Sequence, residues 1–481
     1  GYRYTGDYAG GNNVGIGHQA MYGIRNGAGG NVAIGRSAGD ALDGHNEDNK
    51  GDFNTFVGYI AGSEMTSGSY NIGIGGHQNG GGMNNLKDGV GNIGIGAQVF
   101  NGGNSDGQKP DHNVMIGWAA GAGGSGIKTP TYNIGIGYIA LGTLIDQDYS
   151  VAIGYQSGRY ATGSYNTFLG GGAGTGNSSA PYSSATSNTA VGYQALTAFT
   201  TGDSNVAMGY QAADSITTGR QNVAIGYSAL GKDTIGHTSV AVGYNAGSQQ
   251  VFGSAGATNN TMVGSNAGFY NVTGTGNTLI GSNAGQGGSG NSHNNNTAVG
   301  NSAMLSIGTG GNNVAMGVSA MYGGVGAANQ VAIGTEALYS ATSGLANVAV
   351  GYRAAKALGN AENENIAIGY HTMYLMDEGS GANVDENIAI GSYAMQGKDL
   401  GSASTDITRN IAIGSETLQL SSALAASYNI AVGYRALKAV TSGDDNIAIG
   451  SYAGDAMTTS TYNVAIGQYA LSAVNTGGSN I

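Results

Sequence analysis

Apolar positions in this chain follow neither the 3.6-residue period of a helix nor a long two-residue alternation. They recur as one short phrase, close to N-x-A-I-G, most often at a step of 17 residues. Taking the Gly that closes each phrase as an anchor, twenty-five anchors run from Gly17 to Gly467. Extra residues in the longer repeats always fall between the first few positions after one anchor and the next Asn. A short period with one variable loop predicts a solenoid in which each repeat forms one coil.

The three residues before each anchor read as a strand. Positions three and one before it carry Val, Ile or Thr and then Ile, Val, Met or Leu, as in Val206 and Met208. Strand alternation puts both on one face, expected to be the coil interior. The residue between them is Ala or Gly in most repeats and Phe56, Met115, Phe168, Met262 or Leu279 in five. A strand apolar on both faces is expected to be buried on both. The middle residue is therefore assigned to packing against another chain, with Ala190, Ala207, Ala224, Phe56 and Phe168 as the named positions. Four of the five large ones follow a Thr (Thr55, Thr167, Thr261, Thr278), which reads as volume traded between the two faces.

Asn stands four before the anchor in 22 of 25 repeats, the exceptions being Ser150, Ser239 and Gln330. Such constancy predicts a ladder in which each side-chain amide bonds its neighbour in the next coil; Asn188, Asn205, Asn222, Asn347, Asn446 and Asn463 are named for it. The anchors, among them Gly192, Gly209, Gly226, Gly351, Gly450 and Gly467, are expected to turn the chain at positive φ or a close backbone approach. Ala three after the anchor suggests a tight packing position, and the next residue is Gly or apolar. Segments such as RALKAV (435–440) fit a helical turn and SNAGQGGSG (282–290) does not, so a second strand and a short helical turn both stay open here.

The resulting expectation is an all-β chain, mostly a parallel β-solenoid or β-roll of about 25 coils with a repeat of 17–23 residues, assembled as an intertwined or side-by-side homotrimer. One continuous solenoid is expected over residues 1–481. At the strand spacing of a sheet the stack would run on the order of 120 Å. Gly1-Tyr2-Arg3 matches the register of Gly351-Tyr352-Arg353 and Asn480-Ile481 opens a further phrase, as expected of an internal fragment of a longer fibre chain.

Composition narrows the function classes. The chain has 92 Gly but only 3 Pro and no three-residue Gly period, which excludes collagen. Charged residues are 9%, so Asn, Ser, Thr, Gly and Tyr must keep the surface wet. A hydrophobic content of 40% at fixed intervals argues against a disordered chain. The net charge of −12 offers no basic footprint for nucleic acid. No apolar run in this segment is long enough to enter and span a membrane. With no Cys, neither a disulfide nor a thiolate is available.

The phrases NTAVGYQALTAFTTG (188–202) and SNVAMGYQAADSITTG (204–219) resemble repeats found in tail fibres of tailed bacteriophages. SVAIG (150–154) and SVAVG (239–243) resemble the head repeats of YadA-type trimeric autotransporter adhesins. The resemblance extends over essentially the whole chain. It implies parallel β-rolls packed three around one axis: an extracellular structural and adhesive fibre, on a virion or a cell surface. Its partners would be itself and a host-surface glycan or protein receptor. One departure is that GYQAL stands here where the adhesin heads carry a Ser-x-Ala element.

Other candidate chemistry is weak. GIGGHQNGGG (73–82) lacks the GK[ST] ending of a phosphate loop. His18, His77 and His371 follow anchors and would make a three-fold metal site only in a trimer, whereas packed or exposed neutral rings need no further ligands. Glu362, Glu364, Asp377, Glu378, Asp385, Glu386, Asp399 and Asp406 cluster without a calcium-loop pattern and read as a solvated loop face. No cofactor, no metal and no enzymatic activity are expected. The long loops 40–53, 101–112, 176–187, 376–387 and 397–409 are candidate binding elements. Tyr182, Trp118 and Tyr374 are candidates either for stacking on sugars or for packing. The rival functions are an ice- or surface-binding solenoid and a glycan-processing tailspike; strict Thr columns are missing for the first and constrained carboxylate pairs for the second.

Overall fold

Between two turn-forming residues, such as left-handed Ser204 and the anchor Gly209, lie the ladder residue and three that extend, and three is the length of each strand in the stacks. A computed structural model describes residues 11–25, 27–42, 51–76, 82–83, 86–102, 109–123, 127–179, 181–254, 256–359, 362–376, 383–397, 406–420 and 426–481. Two compact units divide the chain: Gly1–Thr238 with Phe252–Gly256, and Ser239–Val251 with Ala257–Ile481. Each is a parallel β-solenoid, and among the described residues neither contains a helix. The first stacks twelve three-residue strands from Val14–Ile16 to Val223–Ile225; the second stacks thirteen from Val240–Val242 to Val464–Ile466. Like positions face each other in register, as in Val206↔Val223, Ala207↔Ala224 and Met208↔Ile225.

The two faces of the strand are the reverse of the sequence expectation. Ala190, Ala207, Ala224, Phe56 and Phe168, assigned to packing between chains, have no exposed surface within a single chain and form its core. Their flanking residues, expected inside, are half-buried or exposed: Met208 shows 40% and Ile225 36% of its surface. The physical reason is space. The interior must also hold the residues that follow the anchor, so a whole Ile pair per coil would overfill it, whereas an Ala leaves room for a Leu from the opposite wall.

That opposite wall is neither a strand nor a helical turn. Among the described residues, the second and fourth after each anchor take left-handed φ, as do Gln194 (54°) and Leu196 (52°). Their amides still make ladders: Gln211 N–H donates to the Tyr193 carbonyl one coil earlier (3.0 Å), and Leu196 N–H to the Ala212 carbonyl one coil later (3.0 Å). Left-handed conformation costs an ordinary residue about 1–2 kcal/mol, here offset by an inter-coil hydrogen bond at most such positions.

Core volume is exchanged between the two walls. Where the middle strand residue is large, the fourth residue after the anchor is Gly: Phe56 with Gly62, Met115 with Gly121, Phe168 with Gly174, Met262 with Gly268, Leu279 with Gly285. A Cβ at Gly121 would meet the Met115 side chain at 2.9 Å, and one at Gly174 would run into the Phe168 ring. Where the middle residue is Ala, the same position often carries a buried Leu or Met, as in Ala190 with Leu196 and Ala298 with Met304. It is Gly in coils such as those of Ala33 and Ala152, where a Cβ at Gly39 or Gly158 would meet the Phe56 or Phe168 ring of the next coil. Phe168→Ala should therefore cost about 3 kcal/mol through the cavity it opens. Gly174→Leu alone should destabilise by overpacking, and the double substitution should recover most of both losses. A double-mutant cycle of denaturation midpoints reads this; strict additivity would exclude the exchange.

Candidate functional site

The Asn column occupies a buried corner where the loop enters the strand. Asn205 donates from Nδ2 to Asn188 Oδ1 (3.1 Å) and to the Gly219 carbonyl of the next coil (2.9 Å). Its own Oδ1 accepts from the backbone N–H (3.0 Å) and Nδ2 (3.2 Å) of Asn222. Each amide thus ties its coil to both neighbours and pins the end of the next loop. Asn347 repeats the pattern with Asn365 and the Glu362 carbonyl, and Asn446 and Asn463 with each other. Asn188 accepts as the others do, but its Nδ2 has no partner among the described residues. The anchors sit at φ near 135°, for example Gly192 (130°), Gly209 (138°), Gly226 (130°), Gly351 (135°), Gly450 (135°) and Gly467 (121°).

Sequence reading missed a second polar column two residues before the Asn. There a side-chain oxygen accepts the backbone N–H of the same position one coil earlier: Thr186 to Asp203 (2.7 Å), Thr131 to Asp148 (2.8 Å), Ser427 to Asp444 (2.7 Å). The position mixes Asp, Ser, Thr and Asn with residues that offer no side-chain oxygen, such as Gly29, Val90, Arg220 and Leu345, so no single letter repeats to give it away. It also absorbs part of the acidic cluster. Within the column Asp385 accepts from Asn363 N–H (2.6 Å); at the position two residues earlier in the coil, Asp406 accepts likewise from Asn383 N–H (3.1 Å), while Glu386 pairs with Arg409 (2.8 Å). Asp377, Glu378 and Asp399 lie outside the described residues, as do most of the longest loops and His77.

His18 is exposed. The His371 ring is stacked on those of Tyr370 and Tyr374, each 4.3 Å away, and burial together with the nearby Arg353 and Lys356 charges pushes its pKa down. His293 is fully buried in the corner of its coil, within reach of the Gly285 carbonyl (3.2 Å) and of Asn296 Nδ2 (3.4 Å); burial lowers its pKa to about 4. On the surface beyond the anchor, Glu336 joins Arg353 (2.8 Å) and Lys356 (2.5 Å), and Glu416 joins Arg435 and Lys438 in the same way. These partly exposed pairs hold the Glu carboxyls below their ordinary range, first through hydrogen bonds to the lysines.

The largest feature is the outer face of the strands. Val, Ile and Met from positions three and one before the anchor form an apolar stripe along each unit, including Ile34, Ile134, Ile153 and Ile225 in the first and Ile280, Met316, Ile368 and Ile449 in the second. Aromatic columns flank it. On one side His112, Tyr132, Tyr149 and Tyr165 stack coil upon coil; on the other Trp118, Tyr138 and Tyr155 do so, and later Tyr193, Tyr210 and Tyr227. Trp118 lies 5.0 Å from Tyr138 at 10°, Tyr182 lies 6.1 Å from Tyr160 at 8°, and Tyr374 is on His371. All three candidate sugar-stacking residues thus turn a ring face to a neighbouring aromatic ring, and what the columns offer outward is chiefly ring edge. No known family model matches this sequence, and no curated protein matches it significantly.

Proposed function

We propose that this chain is the structural and adhesive shaft of an extracellular fibre, on a virion tail or a cell surface, and that it assembles as a homotrimer. The outward apolar stripe carries this reading. Soluble monomers rarely expose contiguous apolar patches beyond a few hundred Å². A stripe of half-exposed aliphatic side chains repeated on every coil exceeds that, and a copy of the same chain offers the same spacing to match it. The oligomer inferred from a strand apolar on both faces is kept, with the two faces exchanged. A host glycan or protein would be met by loops held away from the anchoring surface, with avidity from three copies.

Native mass spectrometry should give a trimer, and Met208→Asp with Ile225→Asp should raise its dissociation constant at least tenfold while circular dichroism stays unchanged. A wild-type chain that is monomeric at every concentration would sink the proposal. Thr fills the outer strand position three before the anchor in only six of twenty-five coils, so a lattice-matching, ice-binding face has little to build on. Thermal hysteresis in a freezing assay would reverse that preference.

A further inference from the structure

In the first unit, Tyr132, Tyr149 and Tyr165 occupy the same position in three successive coils, five before the anchor. Neighbouring ring centroids are 5.1 and 5.5 Å apart and the planes differ by 11° and 5°. Each ring is at least half exposed. The backbone beneath them leaves little freedom. All three residues are left-handed, and their N–H groups donate to the coil before: Tyr132 to Asp111 (3.1 Å), Tyr149 to Thr131 (3.0 Å), Tyr165 to Asp148 (2.9 Å). The next residue in each coil, Asn133, Ser150 or Asn166, is buried in the ladder corner.

We infer that this column is a site of oxidative cross-linking, in which Tyr149 couples to Tyr132 or Tyr165 as dityrosine. The co-reactant is a peroxide acting through a haem peroxidase. Each phenol gives up one electron and one proton to become a phenoxyl radical. The two radicals join through ring carbons ortho to oxygen, and each ring then loses its ortho hydrogen to the phenol oxygen as aromaticity returns. Two hydrogen atoms leave the pair of tyrosines, and one hydrogen peroxide takes them up as two waters. Stacking supplies the second ring within contact distance of the first, so coupling within the column competes with diffusion. The chain has no Cys, so no thiol of its own intercepts the radical. The product ties coils together covalently on the flank of the apolar stripe, where repeated hydrogen bonds otherwise hold them. This inference is independent of the trimer.

The test treats the whole, folded protein with a haem peroxidase and hydrogen peroxide, followed by peptide mass mapping. The expected product is a linked peptide pair, lighter by two hydrogens, that joins Tyr149 to Tyr132 or Tyr165, formed at least tenfold more than in the urea-unfolded chain. Tyr149→Phe should abolish both links. That variant should fold, since Phe53 holds the equivalent position and stacks on Tyr70 at 5.2 Å. Equal yields from folded and unfolded chains, links only between molecules, or oxidation confined to methionine would each overturn the inference.

Discussion

Asn205→Ala is expected to destabilise the first unit by about 4 kcal/mol or more, although it deletes only a side-chain amide. Losing one partner of a buried hydrogen bond costs more than the bond contributes, about 1–3 kcal/mol for each group left unpaired. Here the Asn222 backbone N–H and the Gly219 carbonyl would both lose the Asn205 amide, and Asn222 Nδ2 would give up one of its two acceptors while keeping the Gly236 carbonyl (2.8 Å). Water cannot replace them cheaply, because Asn205 and Asn222 are essentially inaccessible. Asn205→Gln is the informative control. Gln330 already occupies a ladder position, where it receives Asn347 N–H (3.2 Å) on Oε1 and donates to the Gly344 carbonyl. The longer amide keeps the link to the loop and gives up part of the amide-to-amide contact, so it should cost less than half as much. Amide exchange at Asn222 and the denaturation midpoint together measure this; equal costs for Ala and Gln would mean that the ladder is decorative.

The ladder was legible in the sequence because a single letter at a fixed offset repeats, and a short side chain carrying separate donor and acceptor groups is what the corner needs to link the coils on both sides. The strand was legible for the same reason of constancy. Its orientation was not. A period of two tells alternate positions apart only when one set is polar, and Val206, Ala207 and Met208 are all apolar. The signal that could have settled it lay in two columns taken together: Phe168 goes with Gly174 and Ala190 with Leu196, and such compensation requires both residues to share one interior. The wall after the anchor hid for a different reason. Leu196 and Gln194 are poor left-handed residues by intrinsic preference, and only hydrogen bonds from neighbouring coils hold them there. The outward stripe was written in the sequence as apolar letters, yet it became a candidate interface only once the core was seen to be full without it.

Gly209→Ala is expected to be at least as damaging, about 4 kcal/mol or more, for a reason that no repacking can relieve. Gly209 sits at φ 138°, outside the left-handed well that Asn or Leu can tolerate. Holding an ordinary residue there costs on the order of 1–3 kcal/mol. A Cβ at Gly209 would also collide with the carbonyl oxygen of Gly226, the next anchor. That oxygen belongs to the backbone, and the distance between the two anchors is fixed on each side: Gly209 N–H donates to Val191 (2.8 Å) and Gly226 N–H to Met208 (2.7 Å). To make room, the coils must part, and the strand bonds beside the anchor must lengthen with them. The effect separates from general glycine loss through Gly172→Ala. Gly172 lies at φ 70°, and a Cβ there meets nothing closer than the Gln194 side chain at 3.4 Å. Only the left-handed penalty of about 1 kcal/mol applies to it. The contrast should show as a large loss of amide-exchange protection at Gly209 and Gly226 in the first variant and little change in the second. Similar losses in the two variants would mean that the anchors serve only as turns, and that coil-to-coil contact through them does not set the rise of the solenoid.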